Sequence, residues 1–118
     1  MVSAKRRILI VDDNLGLAEN IAEILEMNGH VTEVAVSAEE ALSKFGPLPP
    51  DVVVTDYRLP GINGASLVRH LGGMGVRVNA IVISAFTDEG TIEDAKSAGA
   101  AFLAKPVDFA ALGRLVQA

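Results

Sequence analysis

Apolar residues follow two rhythms along this chain, and the rhythms alternate. Ile8-Leu9-Ile10-Val11 is an unbroken aliphatic run, the pattern of a strand buried on both faces. From Asn14 to Asn28 the period changes. Ala18, Ile21, Ala22 and Leu25 fall at i, i+3, i+4 and i+7, one face of an amphipathic helix, with Gly29 placed to cap it. Val31 to Val36 is more polar, with Thr32 and Glu33 inside it, and reads as an edge strand. Ser37, with Glu40 three residues on, has capping-box spacing. It opens a second helix whose inner stripe is Ala38, Ala41, Leu42 and Phe45.

The alternation continues to the end. Val52-Val53-Val54 is a third strand, followed by a loop from Asp56 to Asn63 that holds Pro60 and Gly61. A third helix begins near Gly64 with Leu67, Val68 and Leu71 inward, and is expected to dissolve into Gly72, Gly73 and Gly75. Ala80-Ile81-Val82-Ile83 is the fourth strand. The fourth helix spans Asp88 to Ala98, with Ile92 as its one large anchor beside Ala95 and Ala98, and Gly99 ends it. Ala101 to Ala104 is the fifth strand, and Phe109, Leu112 and Val116 line the last helix.

The sum is an α/β chain of (βα)5 form, which favours a doubly wound parallel sheet with helices on both faces. Interior-looking runs at 8–11 and 52–54 and a polar second strand suit the flavodoxin-like strand order 2-1-3-4-5. In that order the ligand site lies at the carboxyl ends of strands one and three. The richest loop, Gly46 to Pro50, is a connection and not a boundary, so residues 1–118 are expected to form a single domain.

Composition narrows this further. Four Phe, one Tyr and no Trp leave the core to aliphatic side chains. A net charge of -5 argues against direct nucleic acid binding, since phosphate backbones call for basic patches. Lys5-Arg6-Arg7 is the only basic run and reads as a solubilising flank. The absence of Cys excludes disulfides and thiolate-bound metal. No apolar run has the length of a membrane span, and the run after the basic start is too short for a signal peptide, so a cytoplasmic chain without membrane attachment is expected. His30 and His70 read as surface residues, and Met27 and Met74 as packing at helix ends.

The chemistry stands where the strands end. Asp12 and Asp13 follow the first strand, Asp56 the third, Ser84 the fourth, and Lys105 with Pro106 the fifth. Singly, each has an ordinary explanation: a helix cap, a turn residue, a solvated lysine. Jointly they converge on the one rim where such a sheet binds ligands. Three carboxylates against one ammonium leave negative charge in excess, which raises pKa values or demands a cation. With no His or Cys nearby, a few hard oxygen ligands favour Mg2+. A hydroxyl and an ammonium opposite that ion suit phosphoryl oxygens.

These residues resemble the receiver domain of two-component response regulators over essentially the whole chain. The matching pieces are Val11-Asp12-Asp13-Asn14, the segment from Asp56 to Gly64, Ser84-Ala85 and Lys105-Pro106. The resemblance implies that Asp56 is the phosphoacceptor, charged by a sensor histidine kinase or phosphotransfer protein. It implies that Asp13 and Asp56 ligate Mg2+ with the backbone carbonyl of Arg58, and that Asp12 acts through metal-bound water. Ser84 and Lys105 would hold phosphoryl oxygens, Phe102 would be an aromatic switch residue, and a cis peptide would precede Pro106. Such a domain is not an enzyme in its own right but assists its own phosphorylation and dephosphorylation. Charging would shift the surface formed by the fourth helix, fifth strand and fifth helix, with a homodimer or an output domain or protein as the reader of the change. The fourth helix, with little apolar area, would be cheap to move.

Three rivals are weighed against this. A Mg2+-dependent phosphatase with an Asp nucleophile usually has a second acid two residues on, where Arg58 stands. A flavodoxin-like cofactor binder calls for a Ser, Thr or Gly loop after the first strand, where Asp12 and Asp13 would repel a phosphate. A degenerate receiver, acting only as a phosphorylation-independent interaction module, would lack some of the site, and all of it is present. Arg58 and Phe86 flank the site at places that vary in the family, and the bulk of Phe86 is expected to slow hydrolysis.

Overall fold

The computed structural model describes residues 5–44, 49–75 and 78–118. Strands and helices alternate: β1 (Arg7–Val11), α1 (Leu15–Met27), β2 (Val31–Ala35), α2 (Ala38–Ser43), β3 (Val52–Asp56), α3 (Gly64–Gly73), β4 (Asn79–Ser84), α4 (Glu89–Ser97), β5 (Ala101–Ala104) and α5 (Phe109–Gln117). The five strands are parallel in the order β2-β1-β3-β4-β5, the flavodoxin-like arrangement. The polar second strand does take an edge.

Successive strand residues point to opposite faces, and the aliphatic runs use both. Ile8, Ile10, Val52, Val54, Ile81 and Ile83 face one layer, made by Ala18, Ile21, Ala22 and Leu25 of α1 with Leu112 and Val116 of α5. Leu9, Val11 and Val53 face the other, against Ala38 and Ala41 of α2 and Leu67 and Leu71 of α3. Ala80 and Val82 extend that second layer toward Val68 of α3 and Ala95 of α4.

Each helix starts on a side chain suited to it. Asn14, Ser37, Asn63, Asp88 and Asp108 all accept a backbone N–H from the first turn. Such caps satisfy donors that a helix start leaves unpaired. Gly29 follows α1 at φ 94°, a conformation that side chains with a Cβ rarely adopt.

Several expectations are corrected. Strand β3 continues through Asp56 and β4 through Ser84, because ladder pairing outlasts the aliphatic runs: Asp56 sits opposite Ile83, and Ser84 opposite Ala104. Helix α3 does not dissolve at Gly72 and Gly73. It carries through both, since packing of Leu67, Val68 and Leu71 outweighs the weak helix preference of glycine. In α4 the buried residues are Thr91 and Ala95, while Ile92 is half-buried. Met27 is 79% exposed and Met74 is exposed too, so neither packs at its helix end.

The basic flank is likewise part of the fold. Arg7 belongs to β1, and the Arg6 backbone N–H donates to His30 Nδ1 at 3.0 Å. His30 is only 7% exposed, not a surface residue, whereas His70 is exposed. Phe45, expected in the α2 stripe, and most of the loop from Gly46 lie outside the described residues.

Candidate functional site

Because all five strands run the same way, their carboxyl ends share one rim. Asp12 and Asp13 leave β1, Asp56 closes β3, Ser84 closes β4 and Lys105 follows β5. Carboxylate oxygens of Asp12, Asp13 and Asp56 all lie within 4.8 Å of one another. Lys105 Nζ is 3.3 Å from Asp56 Oδ1 and 3.8 Å from Asp12 Oδ2. The Lys105–Pro106 peptide is cis.

Asp12 and Asp56 are buried, Asp13 is exposed. Burial pushes the Asp56 carboxyl above the ordinary range. The neighbouring Asp12 carboxylate raises it further, and Lys105 offsets only part of this. Burial also raises Asp12, opposed by the Asn14 backbone N–H, which donates to Asp12 Oδ1 at 2.9 Å, and by Lys105. Two buried carboxyls with one ammonium between them therefore hold a charge imbalance that a hard divalent cation would relieve. The donors are oxygen alone, which suits Mg2+ and not a thiolate- or imidazole-seeking metal.

The backbone of Asp56 is held from several sides. Thr55 Oγ1, fully buried, donates to the Asp56 carbonyl at 3.0 Å. The Tyr57 N–H donates to Ile83 O at 2.8 Å, and the Gly64 N–H to Tyr57 O at 2.8 Å. Gly64 has no substitute here, since a Cβ on it would stand 2.4 Å from the Asp56 carbonyl oxygen.

Ser84 is 1% exposed, and its Oγ accepts the Phe86 N–H at 2.9 Å, so its hydroxyl hydrogen remains available as a donor. Phe102 is half-buried on β5 and packs beside Tyr57 against the Val68–Val82–Ala95 cluster. Arg58 is exposed, two residues past Asp56.

Sequence reasoning missed two features. The Arg58 guanidinium stacks over the Phe86 ring, 4.4 Å from its centroid. Tyr57 Oη donates to Asp94 Oδ2 at 2.7 Å, and the same carboxylate pairs with Arg69. These partners are distant in sequence and carry no local pattern; Arg58 and Phe86 meet because they follow the neighbouring strands β3 and β4, and Asp94 and Arg69 because α4 lies beside α3.

Fold and site together define a doubly wound α/β domain with an acidic, lysine-bearing crevice at its topological switch point. A family model for the response regulator receiver domain matches residues 8–117. The chain belongs to that family. It is 41% identical over 103 residues to a response regulator receiver protein of Anaeromyxobacter sp. (strain Fw109-5), covering 86% of this chain and 43% of that one. It is 36% identical over 110 residues to the transcriptional regulatory protein FixJ of Azorhizobium caulinodans, covering 92% of this chain and 52% of that one. The crystal structure of FixJ-N superposes with a TM-score of 0.87 at 31% identity, covering 96% of this chain and 91% of that one. The chain thus spans about half the length of these curated relatives. Its function is that of a two-component receiver domain, in signal transduction by phosphorelay. Among the described residues no helix is long and apolar enough to cross a membrane.

Proposed function

We propose that Asp56 is the phosphoacceptor, and that a sensor histidine kinase or phosphotransfer protein supplies the phosphoryl group. The observation that carries this is the pairing of a buried Asp56 with Lys105 at 3.3 Å inside a cluster of three carboxylates. An Asp56 carboxylate oxygen attacks phosphorus; the bond from phosphorus to the donor imidazole nitrogen breaks and its electron pair stays on that nitrogen. Asp12, Asp13 and Asp56 would hold Mg2+, with the Arg58 backbone carbonyl as a further ligand and Asp12 reaching the ion through water. When bound, the ion supplies charge neutralisation for the oxygens around the transferring group.

The remaining work falls to side chains of this chain. Lys105 holds one phosphoryl oxygen and keeps its charge close to the new acyl phosphate. The Ser84 hydroxyl donates to another. Phosphorylation adds about 1.5 to 2 negative charges and three acceptor oxygens. Drawing Ser84 and Lys105 inward shifts a pre-existing equilibrium of the α4–β5–α5 surface, with Phe102 as the aromatic that reports it. The domain is a phosphoacceptor and not an enzyme with its own substrate turnover. Residues 1–118 form a single receiver domain, working in the cytoplasm. Its reader is a second copy, an attached output domain or a separate protein.

Incubation with acetyl phosphate and Mg2+, followed by intact-mass measurement, tests this. One added phosphoryl group is expected, lost with EDTA and absent in Asp56→Asn. A chain that gains nothing is instead a phosphorylation-independent interaction module.

A further inference from the structure

Helix α4 has few apolar anchors, yet a polar cluster ties it down. Asp94, half-buried on α4, is bound from two other elements. Tyr57, the residue after Asp56, donates its hydroxyl to Asp94 Oδ2 at 2.7 Å. Arg69 of α3 pairs with Asp94 Oδ1, donates to the Asp94 carbonyl at 3.0 Å, and donates to Ser97 Oγ at 2.7 Å. Asn63, the cap of α3, donates to Tyr57 Oη at 3.4 Å. The Tyr57 hydroxyl and the Arg69 guanidinium both hold the Asp94 carboxyl below its ordinary range, so it is an anion and an acceptor at neutral pH.

The other end of α4 is fixed differently. Its cap, Asp88, lies four residues beyond Ser84 on one continuous segment. That segment is tied to Ser84 by the Phe86 N–H on Ser84 Oγ. Motion of Ser84 toward a phosphoryl group would therefore pull on the start of α4, while Asp94 anchors its middle to Tyr57, just after β3, and to Arg69 of α3. The two restraints oppose each other.

We propose that the Tyr57–Asp94–Arg69 cluster is an inhibitory latch: it holds α4 in the uncharged arrangement and must open for the domain to be charged. The proposal rests on the phosphoacceptor reading of Asp56. It makes Asp94 and Tyr57 regulators of phosphate occupancy although neither belongs to the crevice. By linkage, a contact made only in the uncharged arrangement weakens binding of anything that selects the charged one.

The test uses beryllofluoride, a phosphoryl mimic, titrated with Mg2+ into the whole chain and followed by amide resonances of α4 and β5. Tyr57→Phe keeps the ring that packs against the Val68–Val82–Ala95 cluster. Arg69→Met removes the bonds from exposed Arg69 to α4 and leaves the buried core residues of α3 in place. Glu93→Gln, exposed on α4, is the control. Each latch variant is expected to bind the mimic about three- to tenfold more tightly, the range of one or two net hydrogen bonds. Faster hydrogen exchange in α4 before any mimic is added should accompany it, with the control unchanged. Latch variants of unaltered affinity and exchange overturn the latch and leave Asp56 as the acceptor. A wild-type chain that takes up no beryllofluoride overturns the acceptor reading and the latch with it.

Discussion

Asp56 shows what a site costs at the level of one side chain. Its carboxyl is raised by burial and by Asp12, so at neutral pH its ionised form is less favourable in the folded chain than in the unfolded one. Lys105 offsets this only in part. Asp56→Asn is therefore expected to stabilise the fold in metal-free buffer, on the order of 1–2 kcal/mol, while abolishing phosphorylation. Thermal melts in EDTA and in Mg2+ check this: the variant should melt higher in EDTA, and Mg2+ should raise the wild type and narrow the gap. A variant that melts lower in EDTA would mean that the Lys105 pair outweighs the repulsion. Every residue of this cluster was legible in the sequence, because each strand ends within two residues of where its aliphatic run stops. The Tyr57–Asp94 pair was not, since its partners lie 37 positions apart.

Among the elements, two of the three glycines of α3 have opposite meanings. Gly64 begins the helix against the Asp56 carbonyl, with Thr55 side-chain atoms 3.1 Å from where a Cβ would lie. Gly72 is exposed in the same helix with nothing within 4 Å. Gly64→Ala should cost about 1–3 kcal/mol and slow phosphorylation by displacing Asp56. Gly72→Ala should stabilise by about 0.5–1 kcal/mol with phosphorylation unchanged. Urea unfolding and acetyl phosphate uptake measure both, and equal effects of the two substitutions would contradict the account. The glycine run had suggested an early end to α3, because propensity is local while the packing of Leu67, Val68 and Leu71 is not. Helix α4 misled in the same way. Ile92 is its largest apolar residue, but Thr91 and Ala95 are the ones turned inward.

For the whole molecule, the informative residue is His30, just before β2 and far from the aspartates in sequence. Burial lowers its pKa, and the positive charge of Arg6 lowers it further. Nδ1 accepts the Arg6 N–H, which leaves the hydrogen of the neutral ring on Nε2, 3.2 Å from the Gln117 amide, so the ring joins the residue before β1 to the last helix. Arg114 and Asn28 line the groove beside it. The unfolded chain takes up this proton near pH 6.5, the folded chain only at lower pH. The contribution of His30 to stability is thus full above that value and is lost as pH falls below it. Melting temperatures from pH 7.5 to 5.5 should fall more steeply for the wild type than for His30→Gln, and parallel curves would refute this. A lone His beside a turn glycine looks like a surface residue in sequence. Its burial follows from α5 closing over it, which no local pattern records.

Tyr57 is the only tyrosine in the chain, and there is no tryptophan. Its phenol, a far stronger acid in the excited state, faces a carboxylate at 2.7 Å. Proton transfer to Asp94 during the excited-state lifetime is expected to quench emission, so ultraviolet fluorescence of the unlabelled domain should rise when that contact, one residue from the proposed acceptor, opens. The chain carries its own optical probe of whether α4 is held or released.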